Sequence, residues 1–210
     1  EFLGDYDSWG KRSHLDPAAR VPFLVRYPAR FPENQQCETP ISLVDALPTI
    51  LGAAGIDTEP QHIGTDLSQI ASNESNRDEV IGQLSEEATG LYTLITSDYK
   101  YIYSAADRTE WLFHRLPGQL EKRSLAGHPA YQNILKEYRN RLIARFREDG
   151  YEKPLDGETW REFPQSEMPN APDAWHLYQD GVSVSDLFPE GYNPQIDPAR
   201  ARSPFRQARP

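Results

Sequence analysis

The strongest periodic pattern in the chain lies at residues 128–150, "HPAYQNILKEYRNRLIARFREDG". Apolar side chains recur there every three or four residues, arginine and lysine cover the other positions, and Gly150 stands where a helix would end. This spacing predicts one amphipathic helix, which has to bury its apolar stripe against another element. The stripe consists of Tyr131, Ile134, Leu135, Tyr138, Leu142, Ile143 and Phe146.

Four β-rich runs precede this helix and supply the surface that it needs. The turn between the second and third runs is Ser97-Asp98, which suits a hairpin. We therefore predict a small antiparallel sheet with the long helix packed on it. The four runs cover residues 79–84, 90–97, 99–105 and 110–116.

The first third of the chain predicts one strand and one helix. "VPFLVRYP" at 21–28 is mostly apolar and bounded by prolines, which predicts a buried strand. Residues 39–56 have helical spacing, with Thr39 suited to cap the start and Gly55 suited to follow the end. Pro48 lies inside this pattern, so it either kinks the helix or marks where the helix begins.

The sequence changes character after residue 150. Prolines recur, Trp160 and Trp175 stand among polar residues, and no long periodic segment appears. We expect an extended tail that wraps on the body through its aromatic side chains. Its last stretch, residues 199–210, carries no acid. It can dock on this acidic chain itself or on a second protomer, and docking on a second protomer would form a homo-oligomer. The basic residues there are Arg200, Arg202, Arg206 and Arg209.

The charge balance narrows the function classes. The formal net charge is −10, from 22 lysines and arginines against 32 aspartates and glutamates. That argues against a general nucleic-acid binder, because phosphate neutralisation needs a basic surface. It leaves room for a local cationic pocket that binds an anionic substrate. No run approaches the roughly 20 apolar residues of a membrane-spanning helix.

The common catalytic motifs are missing from the sequence. It holds no G-x-S-x-G elbow, no P-loop and no G-x-G-x-x-G. The five histidines lack the spacing of a helical metal site, and Cys37 lies in a loop sequence with no nearby base. The sequence therefore predicts no metal site within this segment.

The opening segment "WGKRSH" at 9–14 concentrates positive charge in an acidic chain. Lys11 and Arg12 are fixed cations, His14 can titrate, and Gly10 lets the backbone approach a ligand closely. This combination indicates a candidate anion-binding loop. The alternative is an ordinary solvated loop.

Two stretches resemble the sulfatase family within the alkaline phosphatase superfamily. They are "LGDYDSWGKRSHLDPAARVPFLVRYP" at 3–28 and "ISLVDALPTILGAAGI" at 41–56. Family members look like L-G-D-x-x-x-W-x-K, then R-V-P with an apolar run, then V-D-x-x-P-T before a G-I pair. Weaker similarity continues through "LITSDYKYIYS" and "EWLFHRL". The residues that carry the match are Leu3, Gly4, Asp5, Trp9, Lys11, Arg20, Val21, Pro22, Arg26, Pro28, Val44, Asp45, Pro48, Thr49, Gly55 and Ile56.

The resemblance implies an α/β fold: part of a mixed central sheet flanked by helices, plus the small antiparallel sheet packed on the long helix. It divides the chain into a part of the catalytic domain (1–78), the sheet-and-helix subdomain (79–150) and the Pro-rich tail (151–210). It also implies that Glu1 directly follows active-site residues of a longer chain. The nucleophile, a formylglycine made from Cys or Ser, and the acidic ligands of a calcium ion would lie in an N-terminal part outside this segment. Cys37 does not match the nucleophile motif.

The resemblance assigns site residues narrowly. Lys11 matches the family lysine that contacts the sulfate group, so we expect it to be catalytic and substrate-binding. His14 is expected to touch the substrate, to donate a proton to the leaving oxygen, or to do neither. Arg12 is expected to contact the substrate or to form a structural salt bridge. The family often has Tyr-Glu where this chain has Leu15-Asp16.

The expected activity is hydrolysis of a sulfate ester, with a sulfated carbohydrate as substrate and a periplasmic or secreted location. Two alternatives remain at this stage. One is a phosphonate or phosphodiester hydrolase of the same superfamily, and the other is a non-catalytic binding subunit that keeps the fold without the nucleophile. The sequence upstream of Glu1 would separate all three.

Overall fold

The computed structural model describes residues 2–3, 5–7, 11, 13–59, 63–116 and 118–164. The described part forms two compact units, one within 1–21, 81–94 and 99–164, the other within 22–80 and 95–98. The predicted boundaries after residues 78 and 150 stay a prediction. The helices are α1 (Asp16–Ala19), α2 (Ala46–Ala53), α3 (Leu67–Ala71) and α4 (Gln132–Glu148). The strands are β1 (Glu79–Leu84), β2 (Leu91–Thr96), β3 (Tyr99–Ser104), β4 (Thr109–His114), β5 (Leu155–Asp156) and β6 (Thr159–Trp160).

All four predicted β-rich runs form strands of one antiparallel sheet, in the order β1-β2-β3-β4. The β3–β4 register pairs Lys100 with Phe113 and Ile102 with Trp111. Side chains of a strand alternate between its two faces, so tyrosines 99, 101 and 103 point one way and Lys100 and Ile102 point the other. Each face of the sheet therefore has its own core.

The long helix covers the first face, as predicted. The apolar stripe of α4 packs on Tyr92, Leu94, Tyr101 and Leu112 from the sheet. The helix ends where expected, because Gly150 takes φ +71° and the N–H of Tyr151 donates to the carbonyl of Phe146 at 2.7 Å. The α/β class, with a small antiparallel sheet packed on a long helix, is confirmed.

The N-terminal segment covers the opposite face. Phe2 and Leu15 are each 1% exposed and pack against apolar side chains of β2, β3 and β4. Those sheet residues are Leu91, Ile102, Trp111 and Phe113. The sheet is therefore buried on both faces, and Phe2 and Leu15 fasten the N-terminal segment to its second face.

The segment after α4 is more regular than the predicted extended tail. β5 and β6 form a short hairpin that brings Trp160 into the first core. Its indole ring stacks on Tyr103 with ring centroids 4.4 Å apart and on Tyr92 at 5.6 Å. The expectation that aromatic side chains dock this region on the body is confirmed for residue 160. Trp175 and the arginine-rich end lie outside the described residues, as does the oligomer contact expected there.

The second unit contains α2 and α3. The predicted helix at 39–56 begins later than expected, because Ser42 donates its N–H to the Asp45 carboxylate at 2.7 Å and so turns the chain before α2. Pro48 falls in the first turn of α2, which confirms that it marks the start of the helix. Gly55 takes φ +71° just past the helix end, as predicted.

A buried carboxylate holds this unit together. Asp45 is fully buried, accepts the N–H of Thr65 at 2.8 Å and pairs with Arg77 at 2.5 Å. Thr49 accepts the N–H of Leu67 at 2.9 Å, which ties α2 to the start of α3. The matched Asp45 and Thr49 positions therefore have structural roles in this chain.

The predicted buried strand at 21–28 is wrong. The segment is assigned no strand, and its apolar side chains are exposed, with Leu24 at 91% and Val21 at 49%. A strand requires a hydrogen-bonded neighbour, and none of the described strands pairs with this segment. The expected contribution to a central sheet is thus not formed within the described residues. In that same part of the chain, no helix combines the length and apolar character needed to cross a membrane.

Candidate active-site segment

Lys11 is exposed on the segment that covers the second face of the sheet. Residues 8–10 and Arg12 lie outside the described part of the chain, so the proposed grouping of Lys11 with Arg12 stays a prediction. The described chain resumes at Ser13, and its course from there limits where the lysine can reach. Three residues of extended chain span at most about 10 Å, which bounds the distance between the backbone of Lys11 and that of His14.

The residues after Lys11 turn sharply onto the sheet. Ser13 is buried, and its hydroxyl oxygen accepts the N–H of Leu15 at 3.1 Å. Leu15 then enters the second core, and α1 begins at Asp16. Where the family often has an aromatic residue, this chain therefore places an apolar side chain inside the protein.

The His14 ring is held by the sheet. Its Nε2 lies 3.1 Å from the carbonyl oxygen of Leu91, so Nε2 carries the proton and Nδ1 is an acceptor. A methyl group added at Gly82 would lie only 3.1 Å from the ring carbon Cε1, so the absence of a side chain at Gly82 makes room for the ring. Burial, followed by the nearby charge of Lys100, lowers the pKa of His14 to about 4.

This environment bears on the roles expected of His14. At neutral pH the ring is uncharged, and its one N–H is already donated to a backbone carbonyl. A group in that state is a poor proton donor to a leaving oxygen. A substrate contact through Nδ1 is compatible with the observed geometry and stays a prediction.

A buried lysine lies beneath this segment. Lys100 on β3 is 1% exposed, and its Nζ contacts the carbonyl oxygen of His14 at 3.0 Å. The same Nζ lies 2.5 Å from the Asp16 carboxylate and 2.6 Å from that of Glu121. Its charge is thus neutralised by two carboxylates, one of them from the segment that carries Lys11.

Glu121 connects the two ends of the opening segment. Its carboxylate accepts the N–H of Asp16 at 2.6 Å, while its own N–H donates to the Tyr6 hydroxyl at 2.9 Å. Burial, with the charge of Asp16 adding to it, raises the pKa of Glu121, and Lys100 opposes that rise. Tyr6 adopts a left-handed backbone at φ 56°, ψ 27°, a costly conformation that persists only where the surroundings fix it.

The described residues do not form a metal site. No group of three or more His, Cys, Asp or Glu side chains among them could hold an ion. Cys37 is an exposed free thiol. Among these residues the structure therefore offers no three-ligand site for calcium.

Sequence reasoning missed Lys100 and Glu121. One signal for Lys100 was available, since a lysine alternating with tyrosines in "YKYIYS" shares a strand face with the apolar Ile102. Nothing in "QLEKRS" distinguishes Glu121 from its neighbours. Their pairing depends on how the chain after β4 returns to the N-terminal segment, which local pattern does not specify.

Solved structures share this fold. The phosphonate monoester hydrolase SpPMH of Silicibacter pomeroyi superposes with a TM-score of 0.59 at 23% identity, over 79% of this chain and 37% of its own. The Bacteroides fragilis protein yidJ, named as a sulfatase, gives a TM-score of 0.50 at 19% identity, over 59% of this chain and 28% of its own. These identities establish the fold alone, and this chain spans only 37% of the first protein and 28% of the second.

None of the curated proteins compared with the sequence matches it. A family model described as "N-sulphoglucosamine sulphohydrolase, C-terminal" matches residues 4–148, well over half of the chain. The match runs from the opening segment through the four-stranded sheet to the end of α4. The chain therefore belongs to this family of sulfatase C-terminal domains.

Proposed function

We propose that this chain is the C-terminal part of a sulfuric ester hydrolase that removes sulfate from a sulfated carbohydrate. The observation that carries the proposal is the family match over residues 4–148, which includes the segment around Lys11. The exposed ammonium of Lys11 would bind the sulfate oxygens and stabilise the negative charge that develops in the transition state. His14 would contact the substrate through Nδ1, and Arg12 would add a second cation.

The nucleophile and the metal belong, in this proposal, to an N-terminal part of the same enzyme. Family resemblance suggests a formylglycine and a calcium ion there, and the described residues of this chain supply neither. Calcium would contribute positive charge that binds sulfate oxygens. The contribution of this chain is one side of the pocket and the lysine. A periplasmic or secreted location is part of the same proposal.

The experiment is a substrate comparison with the complete protein, including the part upstream of Glu1. Release of inorganic sulfate would be measured from N-sulfoglucosamine and from O-sulfated sugars, beside hydrolysis of a phosphonate monoester. We expect the highest kcat/KM on one of the sulfated sugars. A higher kcat/KM on the phosphonate would favour the alternative hydrolase, and no turnover of any of them would favour the non-catalytic subunit.

A further inference from the structure

We infer that Lys100 and Glu121 are positioning residues that hold Lys11 in place for the substrate. With Asp16 they form a charged hub around the buried ammonium of Lys100, and this hub fastens the segment on both sides of Lys11. The inference rests on the proposed function, because it assigns the hub to the sulfate contact of Lys11. It concerns residues that the sequence did not indicate.

The hub joins both ends of the loop that carries Lys11. Tyr6 and Asp16 each lie five positions from Lys11 along the chain, and both are hydrogen-bonded to Glu121. Phe2 and Leu15, each 1% exposed, anchor the same two ends in the second core. Lys11 is thus exposed between two anchored positions, which limit where its side chain can reach.

The ammonium group of Lys100 is buried, and its contacts are with other groups of the protein. Its Nζ has three partners, namely the His14 carbonyl, the Asp16 carboxylate and the Glu121 carboxylate. At 1% exposure, this ammonium has no surface to offer a substrate. An effect of Lys100 on turnover by the folded enzyme is therefore indirect, and the segment of His14 and Asp16 is what its ammonium contacts.

A charged hub at this place has a physical reason. Burying an ammonium with two carboxylates costs desolvation energy, and well-packed apolar residues often stabilise such a site equally well. Charged hydrogen bonds fix one geometry more closely than apolar contacts do, since they constrain direction as well as distance. Misplacing a catalytic group by about 1 Å can lower the rate by roughly 10²-fold, so a geometric restraint at this place is worth its cost.

The test is a double-mutant cycle in the complete enzyme. Lys100→Met, Lys11→Ala and the double variant would be compared for kcat, KM and inhibition by inorganic sulfate, after circular dichroism confirms folding at the assay temperature. We expect Lys100→Met alone to lower kcat/KM by about 10- to 100-fold. In the Lys11→Ala background the same change should alter kcat/KM by less than about threefold, because the group it positions is already gone.

A second variant keeps the test decisive if Lys100→Met does not fold. Asp16→Asn preserves the shape of the side chain and leaves the pair between Lys100 and Glu121 intact, so the same cycle can be run with it. Arg139→Met is the matched control, because it breaks an ion pair with Glu110 on the other face of the sheet. The control should lower the melting temperature without lowering kcat/KM of the folded enzyme.

The outcomes distinguish a failure of the positioning role from a failure of the proposed sulfate contact of Lys11. If Lys100→Met or Asp16→Asn lowers kcat/KM by the same factor with and without Lys11, the hub does not act through Lys11 and the positioning role is wrong. The same conclusion follows if the folded variants match the wild type in kcat/KM and in sulfate inhibition. If Lys11→Ala by itself has no effect, the proposed role of Lys11 fails as well.

Discussion

At the scale of single residues, His14 shows how its surroundings limit its chemistry. Its Nε2–H is donated to the Leu91 carbonyl, and its ring occupies the space left by Gly82. Burial lowers its pKa to about 4. The sequence placed a titratable group beside two cations, and the structure makes it a neutral ring whose remaining polar atom is an acceptor.

The lowered pKa of His14 predicts a dependence of stability on pH. Between pH 6.5, the ordinary pKa, and about 4, the unfolded chain binds a proton that the folded chain does not. The contribution of His14 to the free energy of unfolding is therefore fully present above pH 6.5. It is lost as the pH falls toward 4, by up to roughly 1.4 kcal/mol per pH unit. Denaturant unfolding of the complete protein at several pH values between 4 and 7 measures this slope.

The control for this prediction is His14→Gln, which keeps an N–H for the Leu91 carbonyl and does not titrate. The comparison is needed because the raised pKa of Glu121 acts in the opposite direction. The wild type should lose more stability than the variant as the pH falls from 6.5 toward 4. Parallel curves for the two proteins would show that His14 does not titrate in this way.

At the scale of elements, the β5–β6 hairpin packs on the first core through Leu155 and Trp160. Trp160 stacks on Tyr92 and Tyr103, and its indole N–H donates to the Tyr101 hydroxyl at 3.0 Å. Trp160→Ala should lower the free energy of unfolding by about 3–5 kcal/mol, because it leaves a large cavity and removes the hydrogen bond to the Tyr101 hydroxyl. Denaturant titration of the complete protein would measure the loss.

Leu120→Ala provides the comparison for that variant, since Leu120 is 58% exposed and its truncation opens no cavity in the core. It should change stability by less than about 0.5 kcal/mol. An equally small effect of Trp160→Ala would mean that the hairpin contributes little to the fold.

The elements also show what the sequence could predict. The four strands and α4 followed from local signals, since alternation, a two-residue turn and a helical stripe all agree with the final packing. The segment 21–28 did not, because an apolar run becomes a strand only where a partner strand is present. Thr39 was the wrong cap because Ser42 and Asp45 form the cap themselves. The site followed the same rule: the exposed Lys11 was visible from motif and charge, whereas the hub under it joins residues far apart in sequence.

At the scale of the whole molecule, the second unit exposes several large apolar side chains. Leu24 is 91% exposed, Ile63 83% and Leu43 66%, and all three lie within 22–80. Exposed apolar side chains mark sites of interaction in soluble proteins where they form one patch. The number of such side chains here agrees with the proposal that an N-terminal part of the same enzyme covers them.

The exposed apolar surface predicts self-association of the 210-residue chain on its own. Light scattering at micromolar concentration should show species larger than the 24.0 kDa monomer. Replacing Leu24 and Ile63 together by lysine should shift the distribution toward the monomer, because both changes place charge on that surface. A wild-type chain that stays monomeric and melts cooperatively would contradict this view of the surface.

The central claim is that Lys11 binds the sulfate group in a sulfatase active site. The most direct measurement is kcat/KM for sulfate release by the complete enzyme carrying Lys11→Ala, beside Lys136→Ala, which removes the same charge from an exposed position on α4. The account predicts a loss of about 10²-fold or more for Lys11→Ala, the scale of a lost transition-state contact. It predicts no change beyond about twofold for Lys136→Ala. A loss of less than about threefold for Lys11→Ala would contradict it.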